Sequence, residues 1–226
     1  SAYLLYAATR YAARVKAYYV STAFQPEFEL EDARRLANEL GADMQVLHVD
    51  VLMSGAVVAN PSDRCYHCKN TLFRQILRAA ENDGFPVLLD GTNASDDAGD
   101  RPGMRALREL SVRSPLRECG LTKAEIRRLS KEAGLFTWDK PAYACLATRI
   151  RAGEEITLQK LKQTEKAEGF LFGLGFRDFR VRMVGNTAKL ELREADLPLL
   201  LENREKIVTE LRKDYDGVLL NLEVRK

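Results

Sequence analysis

The residues in this chain best suited to chemistry are its cysteines. Cys65 and Cys68 form a Cys-x-x-Cys unit in Cys65-Tyr-His-Cys68-Lys69, at the mouth of an expected helix, so the two thiols share one face. Cys145 follows far downstream, in Lys140-Pro-Ala-Tyr-Ala-Cys145-Leu-Ala-Thr148-Arg149. Soft thiolates suit zinc or an iron–sulfur cluster. A closed structural zinc takes four ligands. Three converging cysteines leave one position open, which fits a four-iron cluster better. His67 sits two residues from Cys65 and should point away from it. Cys119, beside Gly120, reads as core. Thiol redox chemistry and plain packing are the competing readings, with Cys145 as a small buried hydrophobe.

Two polar clusters accompany the thiols. Asp90-Gly91-Thr92-Asn93, followed by Asp96, Asp97, Asp100 and Arg101, comes directly after an apolar run. A strand that ends in Asp-Gly places the next residues at the carboxyl edge of a sheet, where open α/β folds bind ligands. Carboxylates there suit Mg²⁺ on a nucleotide polyphosphate, against the alternative of a solvated acidic loop. The second cluster is Lys69, Arg149, Arg151, Arg180 and Arg182. Arg180-Val-Arg182 alternates as a strand does, so both guanidinium groups face one side. Paired forks of that kind grip a phosphate, unless the face is simply solvated. Glu168 and Glu191 carry no clear signal, since such residues are usually exposed.

The elements that must position these groups alternate. Residues 1–13 have helical apolar spacing, and Val15–Val20 reads as a buried strand. Pro26 and the acidic residues after it open a helix that stops at Gly41. Met44–Val49 is a second strand. Ser62 is the expected N-cap of the helix carrying the Cys-x-x-Cys unit, which ends at Gly84. Pro86–Asp90 is a third strand, and Thr122-Lys-Ala-Glu125 is a capping box for a helix ending at Gly134. This pattern predicts an α/β fold with a Rossmann-like parallel sheet over residues 1–150. Residues 151–226 form a smaller α+β domain: a helix over 156–174, strands over 179–183 and 188–192 about a Gly185-Asn186 turn, a helix over 197–211 and a strand over 218–224. A doubly wound sheet begins with a strand and a phosphate loop before its first helix. The expectation is that both precede this chain, with Ser1 as the last residue of the loop.

The 226 residues are 46% hydrophobic and 30% charged, ordinary for a globular protein, and no apolar run approaches a membrane span. A net charge of +2 does not support a dominant nucleic-acid footprint. Four cysteines are too few for a disulfide framework. A cytoplasmic protein is expected.

Taken together, Asp90-Gly-Thr-Asn93, Asp97, Asp100-Arg101-Pro102-Gly103, Asp139-Lys140, Cys145-Leu-Ala-Thr-Arg149, Gly175-Phe176 and Arg180-Val-Arg182 resemble the LarE family of sulfur transferases, within the PP-loop ATP pyrophosphatase superfamily. The resemblance implies adenylation of a carboxylate of pyridinium-3,5-biscarboxylic acid mononucleotide with ATP and Mg²⁺. Sulfur then replaces an oxygen, on the way to the nickel-pincer nucleotide of lactate racemase. Some members sacrifice a cysteine sulfur; others hold a [4Fe-4S] cluster on three cysteines, and Cys65, Cys68 and Cys145 match that type. The resemblance gives Cys145, Lys69 and Asp97 catalytic positions. It gives the nucleotide Ser1, Asp90, Gly91, Thr92, Asn93, Asp100 and Arg101. The substrate receives Thr148, Arg149, Glu168, Arg180 and Arg182. It also implies a homo-hexamer, fed with sulfur by free sulfide or by a cysteine desulfurase. A PP-loop tRNA thiolase, and a nucleotide-binding module with structural zinc, are the alternatives.

Overall fold

A computed structural model describes residues 2–96 and 102–225. Of the candidate site residues, Ser1, Asp97, Asp100 and Arg101 lie outside those described. The chain forms two compact units. Unit 1 comprises Ser1–Thr22, Glu27–Val51 and Ser62–Lys140; unit 2 comprises Ala23–Pro26, Leu52–Pro61 and Pro141–Lys226.

Unit 1 is α/β. Helix α1 (Ala2–Tyr11) leads to strand β1 (Ala17–Ser21), helix α2 (Glu27–Leu40) and strand β2 (Met44–His48). The strands pair in parallel, from Ala17 opposite Met44 to Ser21 opposite His48. Glu27 and Glu29 occupy the first turn of α2, where the helix dipole favours negative charge. Its buried face is Leu36 and Ala37, and Gly41, at φ +61°, ends it. The short helix α3 (Gly55–Val58) belongs to unit 2.

Helix α4 (Arg64–Asn82) carries Cys65, Cys68 and Lys69, and buries Arg64, Ile76 and Ala80. It begins one residue later than expected: Asp63, not Ser62, is its N-cap. The expected strand at 86–90 forms only a single parallel bridge, Leu89 with Arg113. A ladder needs a paired neighbour, and among the described residues no strand lies bonded to its other edge. Helices α5 (Pro102–Glu109), α6 (Pro115–Glu118) and α7 (Lys123–Glu132) complete the unit. The capping box is present: the Thr122 hydroxyl accepts from the Glu125 backbone N–H, and the Glu125 carboxylate accepts from that of Thr122. Cys119 ends α6 and is exposed, so it is not a core residue. Leu116 is the residue that α6 buries, and Cys119 is its C-cap.

Unit 2 packs helix α8 (Leu158–Gly173) on a three-stranded sheet. Strands β3 (Arg180–Val184) and β4 (Thr187–Glu191) form an antiparallel hairpin, with Gly185 at φ +58° in the turn. The expected helix over 197–211 divides at Asn203 into α9 (Leu197–Glu202) and α10 (Arg204–Leu211). Strand β5 (Gly217–Leu220), shorter than expected, runs parallel to β4. Leu171, Phe176, Phe179, Val181, Leu190 and Ile207 form the core, with the Phe172 and Phe179 ring centroids 4.8 Å apart. Among the described residues no helix is long and apolar enough to cross a membrane.

Candidate functional site

In unit 1 the Asp90–Asn93 turn is held by its own side chains. The Asp90 carboxylate accepts from the Thr92 hydroxyl at 2.5 Å, the Thr92 backbone N–H at 3.3 Å and the Ser114 hydroxyl at 2.6 Å. Asp96 accepts from the backbone N–H and the side-chain amide of Asn93, at 2.9 and 2.7 Å. Arg117 donates to the Asp96 carbonyl at 2.6 Å. Such local bonds are what Asp and Asn offer in turns. With the Ala94 N–H bonded to the Leu121 carbonyl at 2.8 Å and the Ser95 N–H to the Asn93 side-chain oxygen at 2.9 Å, the backbone N–H groups of Thr92 to Ser95 all have acceptors within the unit.

Lys69 is the second polar group of this unit. Its side chain lies over Gly103 in α5, so close that a Cβ there would stand 3.2 Å from Cδ and Cε. Cys65 and Cys68 sit one turn apart on α4, the first exposed and the second half-buried, with an Arg64 guanidinium nitrogen 3.7 Å from the Cys65 sulfur. His67 turns to Asp63, 3.4 Å away, as its spacing from Cys65 requires.

Unit 2 holds the arginines. Arg149 and Glu168 form an ion pair with side chains 0% and 1% exposed. Two parallel bonds join them, at 2.7 and 3.0 Å. Glu168 also accepts from the Val181 backbone N–H at 2.9 Å and from the Tyr143 hydroxyl. It is therefore not the exposed helical glutamate its type suggests. Burial first, then the charge of Glu168, push the Tyr143 phenol well above its ordinary range. For Arg149 burial acts downward, and the hydrogen bond and charge of Glu168 outweigh it upward. Arg180 is buried too; its guanidinium donates to the Ala142 and Phe179 carbonyls, both at 2.6 Å. Burial, then the Arg149 charge, lower its pKa. Arg182 donates to the Thr148 carbonyl at 2.5 Å and to Glu191 at 2.8 Å. The alternative of a solvated strand face fails for Arg180, which is inside.

The structure thus brings together Thr148, Arg149, Glu168, Arg180 and Arg182, and separately Asp90, Gly91, Thr92 and Asn93. Cys145 opens the short turn 146–149, where its carbonyl accepts from the Thr148 backbone N–H and hydroxyl, at 3.0 and 2.8 Å. The thiols are divided, Cys65 and Cys68 in unit 1 and Cys145 in unit 2. Sequence reasoning missed Tyr143. Besides bonding Glu168, its ring lies 4.8 and 5.4 Å from the Arg149 and Arg180 guanidinium carbons, within cation–π range. Its place two residues before Cys145 was the one available signal. A pocket of about 280 Å³ opens beside this network, and Thr148, Arg151, Arg182 and Lys189 are among the residues lining it.

No protein-family model matches the chain. An uncharacterized protein of Synechocystis sp. is 40% identical over 173 residues, which is 76% of this chain. The matched part spans 64% of that relative's length. An uncharacterized protein of Methanocaldococcus jannaschii is 31% identical over 91% of this chain and 79% of its own length. The pyridinium-3,5-bisthiocarboxylic acid mononucleotide synthase of Lactiplantibacillus plantarum is 33% identical over 184 residues, 81% of this chain and 67% of that protein. By that relationship the chain belongs to the LarE family.

Proposed function

We propose that the chain is an ATP-dependent sulfur transferase acting on pyridinium-3,5-biscarboxylic acid mononucleotide. The observation that carries this reading is its 33% identity, over most of its length, to a protein named as synthase of the corresponding bisthiocarboxylic acid. A carboxylate is a poor electrophile. Transfer of AMP from ATP to a carboxylate oxygen releases pyrophosphate and leaves an acyl carbon with a good leaving group. Sulfide then adds at that carbon, AMP departs with the oxygen it bonded, and a thiocarboxylate remains.

The residues divide these tasks. We assign the nucleotide to the Asp90–Asn93 turn, at the carboxyl end of the 86–90 segment, with Mg²⁺ neutralising the polyphosphate. Ser1, Asp97, Asp100 and Arg101 join it by family resemblance. Arg182 and Lys189, both paired with Glu191, and Arg151 line one small pocket, which we assign to the phosphate and carboxylates of the substrate. Arg149, Glu168, Arg180 and Tyr143 fix the strand and turn behind that pocket. Lys69 is proposed to meet substrate as a further cation.

The thiols of Cys65, Cys68 and Cys145 are a soft donor set that fits an iron–sulfur cluster better than a hard cation. These three would hold a [4Fe-4S] cluster, which when bound would carry the sulfur delivered for the transfer. Free sulfide or a cysteine desulfurase is the proposed source, and a homo-hexamer the proposed assembly.

The test uses anaerobically prepared protein with ATP, Mg²⁺ and the pyridinium dicarboxylate. Substrate-dependent pyrophosphate release and a product with sulfur in place of oxygen are expected. Cys145→Ala should keep pyrophosphate release and lose the sulfur product. Pyrophosphate release that ignores the pyridinium substrate would defeat the reading; zinc without iron would defeat the cluster alone.

A further inference from the structure

The turn that follows Arg149 is bolted to a second segment of unit 2. Helix α3 ends at Val58, and Asn60 stands two residues beyond it. Asn60 is 3% exposed, and its backbone is left-handed, at φ +51°. Few side chains adopt that conformation; asparagine is one that does. Its amide nitrogen donates to the Arg151 carbonyl at 2.8 Å and to the Ile150 carbonyl at 3.4 Å. Its own carbonyl accepts from the Gly153 N–H at 2.8 Å, and the Val58 carbonyl accepts from the Ile156 N–H at 2.9 Å. The turn also closes on itself. The Arg151 carbonyl accepts from the Glu154 N–H at 3.0 Å, with Gly153 at φ +85°. Ile150 and Ile156, both buried, anchor its two ends, while Arg151, Ala152 and Gly153 at the tip are exposed.

The cations that line the pocket of about 280 Å³ are not equivalent. Arg149 is paired with Glu168. Arg182 and Lys189 share Glu191, at 2.8 and 3.4 Å. The Arg151 guanidinium makes neither an ion pair nor a hydrogen bond among the described residues. Its charge is therefore the one an incoming anion meets uncompensated. A long side chain loses rotamer freedom when it grips an anion, and a mobile backbone beneath it would add to that loss. We propose that Asn60 is a positioning residue for substrate binding: by bonding the Ile150 and Arg151 carbonyls it holds the Arg151 backbone still, so that the free guanidinium is presented to an anionic group of the substrate. The inference rests on the assignment of this pocket to the substrate. The orientation of the Asn60 amide follows from its partners, because only its NH₂ end can donate to two carbonyls. A left-handed backbone persists where its surroundings over-determine it, and at Asn60 the bonds to the 150–153 turn do so.

The test measures pyrophosphate release by anaerobically prepared protein with ATP, Mg²⁺ and the pyridinium dicarboxylate mononucleotide. Asn60→Gly removes the amide and leaves the left-handed backbone without strain. KM for the pyridinium substrate should rise about tenfold, with kcat and KM for ATP within about twofold of the wild type, the pattern of lost binding and not of lost chemistry. Arg151→Ala should raise the same KM by ~10–100-fold. The double variant should be no worse than Arg151→Ala alone, because Asn60 acts through Arg151. Effects that multiply would overturn the proposal, and so would an unchanged KM in Arg151→Ala. An Asn60→Gly variant whose Tm falls while its KM stays would mark a residue that only supports the fold. If Asn60→Gly does not fold, amide exchange of the wild type without substrate decides. The Gly153 N–H, which donates to the Asn60 carbonyl, should be protected, and exchange at loop rates would overturn the proposal. A wild-type protein that ignores the pyridinium substrate would defeat the assigned reaction and this inference with it. Normal use of that substrate beside an unchanged KM in Asn60→Gly would defeat this inference alone.

Discussion

The two units hold their polar residues in opposite ways. In unit 2, Arg149 and Glu168 are sealed inside, bonded to each other, to the Val181 N–H and to the Ala144 carbonyl. In unit 1, Asp90 and Asp96 fold a turn on themselves, beside a cavity of about 640 Å³. Burying a charge is costly unless it is paired and hydrogen-bonded. Unit 2 meets that cost with a complete network, which makes the network a fixed backing for a cationic pocket. Unit 1 leaves these carboxylates part-buried, in bonds local to the turn.

The sharpest way to break this comparison is Glu168→Gln. It leaves the Arg149 charge buried without its counter-charge, a change that costs ~3–5 kcal/mol. Urea unfolding followed by circular dichroism should show a loss of that size. A loss below about 1 kcal/mol would mean that the pair is open to water and that unit 2 is no more rigid than unit 1.

Packing offers the next test. Leu171 is fully buried in unit 2, and Leu171→Ala should cost ~3–5 kcal/mol in the same assay. Leu36 is nearly as buried but borders the unit 1 cavity, where it already lacks contacts on one side. Leu36→Ala in the 226-residue chain should cost about 2 kcal/mol or less. Equal losses would show that the space beside Leu36 is filled.

Tyr143 sharpens the comparison through pH. Its phenol keeps its proton in the folded protein to well above the ordinary range, through burial first and then Glu168. In the unfolded chain it ionises near ~10. Below that pH its contribution to stability is complete. Above it the unfolded state releases a proton that the native state retains, so stability falls by ~1.4 kcal/mol per pH unit. Tyr143→Phe should flatten that slope between pH 10 and 11, measured by urea unfolding at each pH. An unchanged slope would place the phenol in water.

The parts of this arrangement that sequence could supply are local. Spacing places Cys65 and Cys68 on one helical face, the Thr122 and Glu125 pair marks its helix start, and the Gly185-Asn186 turn marks its hairpin. Arg180 and Arg182 also alternate as expected on β3. What sequence could not supply depends on contacts between distant residues. Glu168 looks like any exposed helical glutamate until Arg149, Tyr143 and the Val181 N–H enclose it. The apolar run at 86–90 has the composition of a strand, but a strand exists only where an edge is offered to it, and here one bridge forms. Asn203 interrupts a helix whose apolar spacing continues on both sides, since its side chain bonds back to the Leu199 carbonyl.

The smallest effect separates the units most cleanly. Thr122 caps α7, a helix of unit 1, whereas the arginine network belongs to unit 2. Thr122→Ala removes one side of the capping box and should cost ~1 kcal/mol. Trp138 is the chain's single tryptophan and lies just beyond α7. Its backbone N–H donates to Leu135 at 3.2 Å, and the Lys131 ammonium stands 4.6 Å from its ring. Its fluorescence therefore follows the end of the helix that Thr122 begins. The variant should move the tryptophan transition to lower urea, whereas Glu168→Gln should act first on the circular dichroism of unit 2. If the two probes move together in both variants, the units unfold as one, and the contrast between them is one of local structure and not of separate stability.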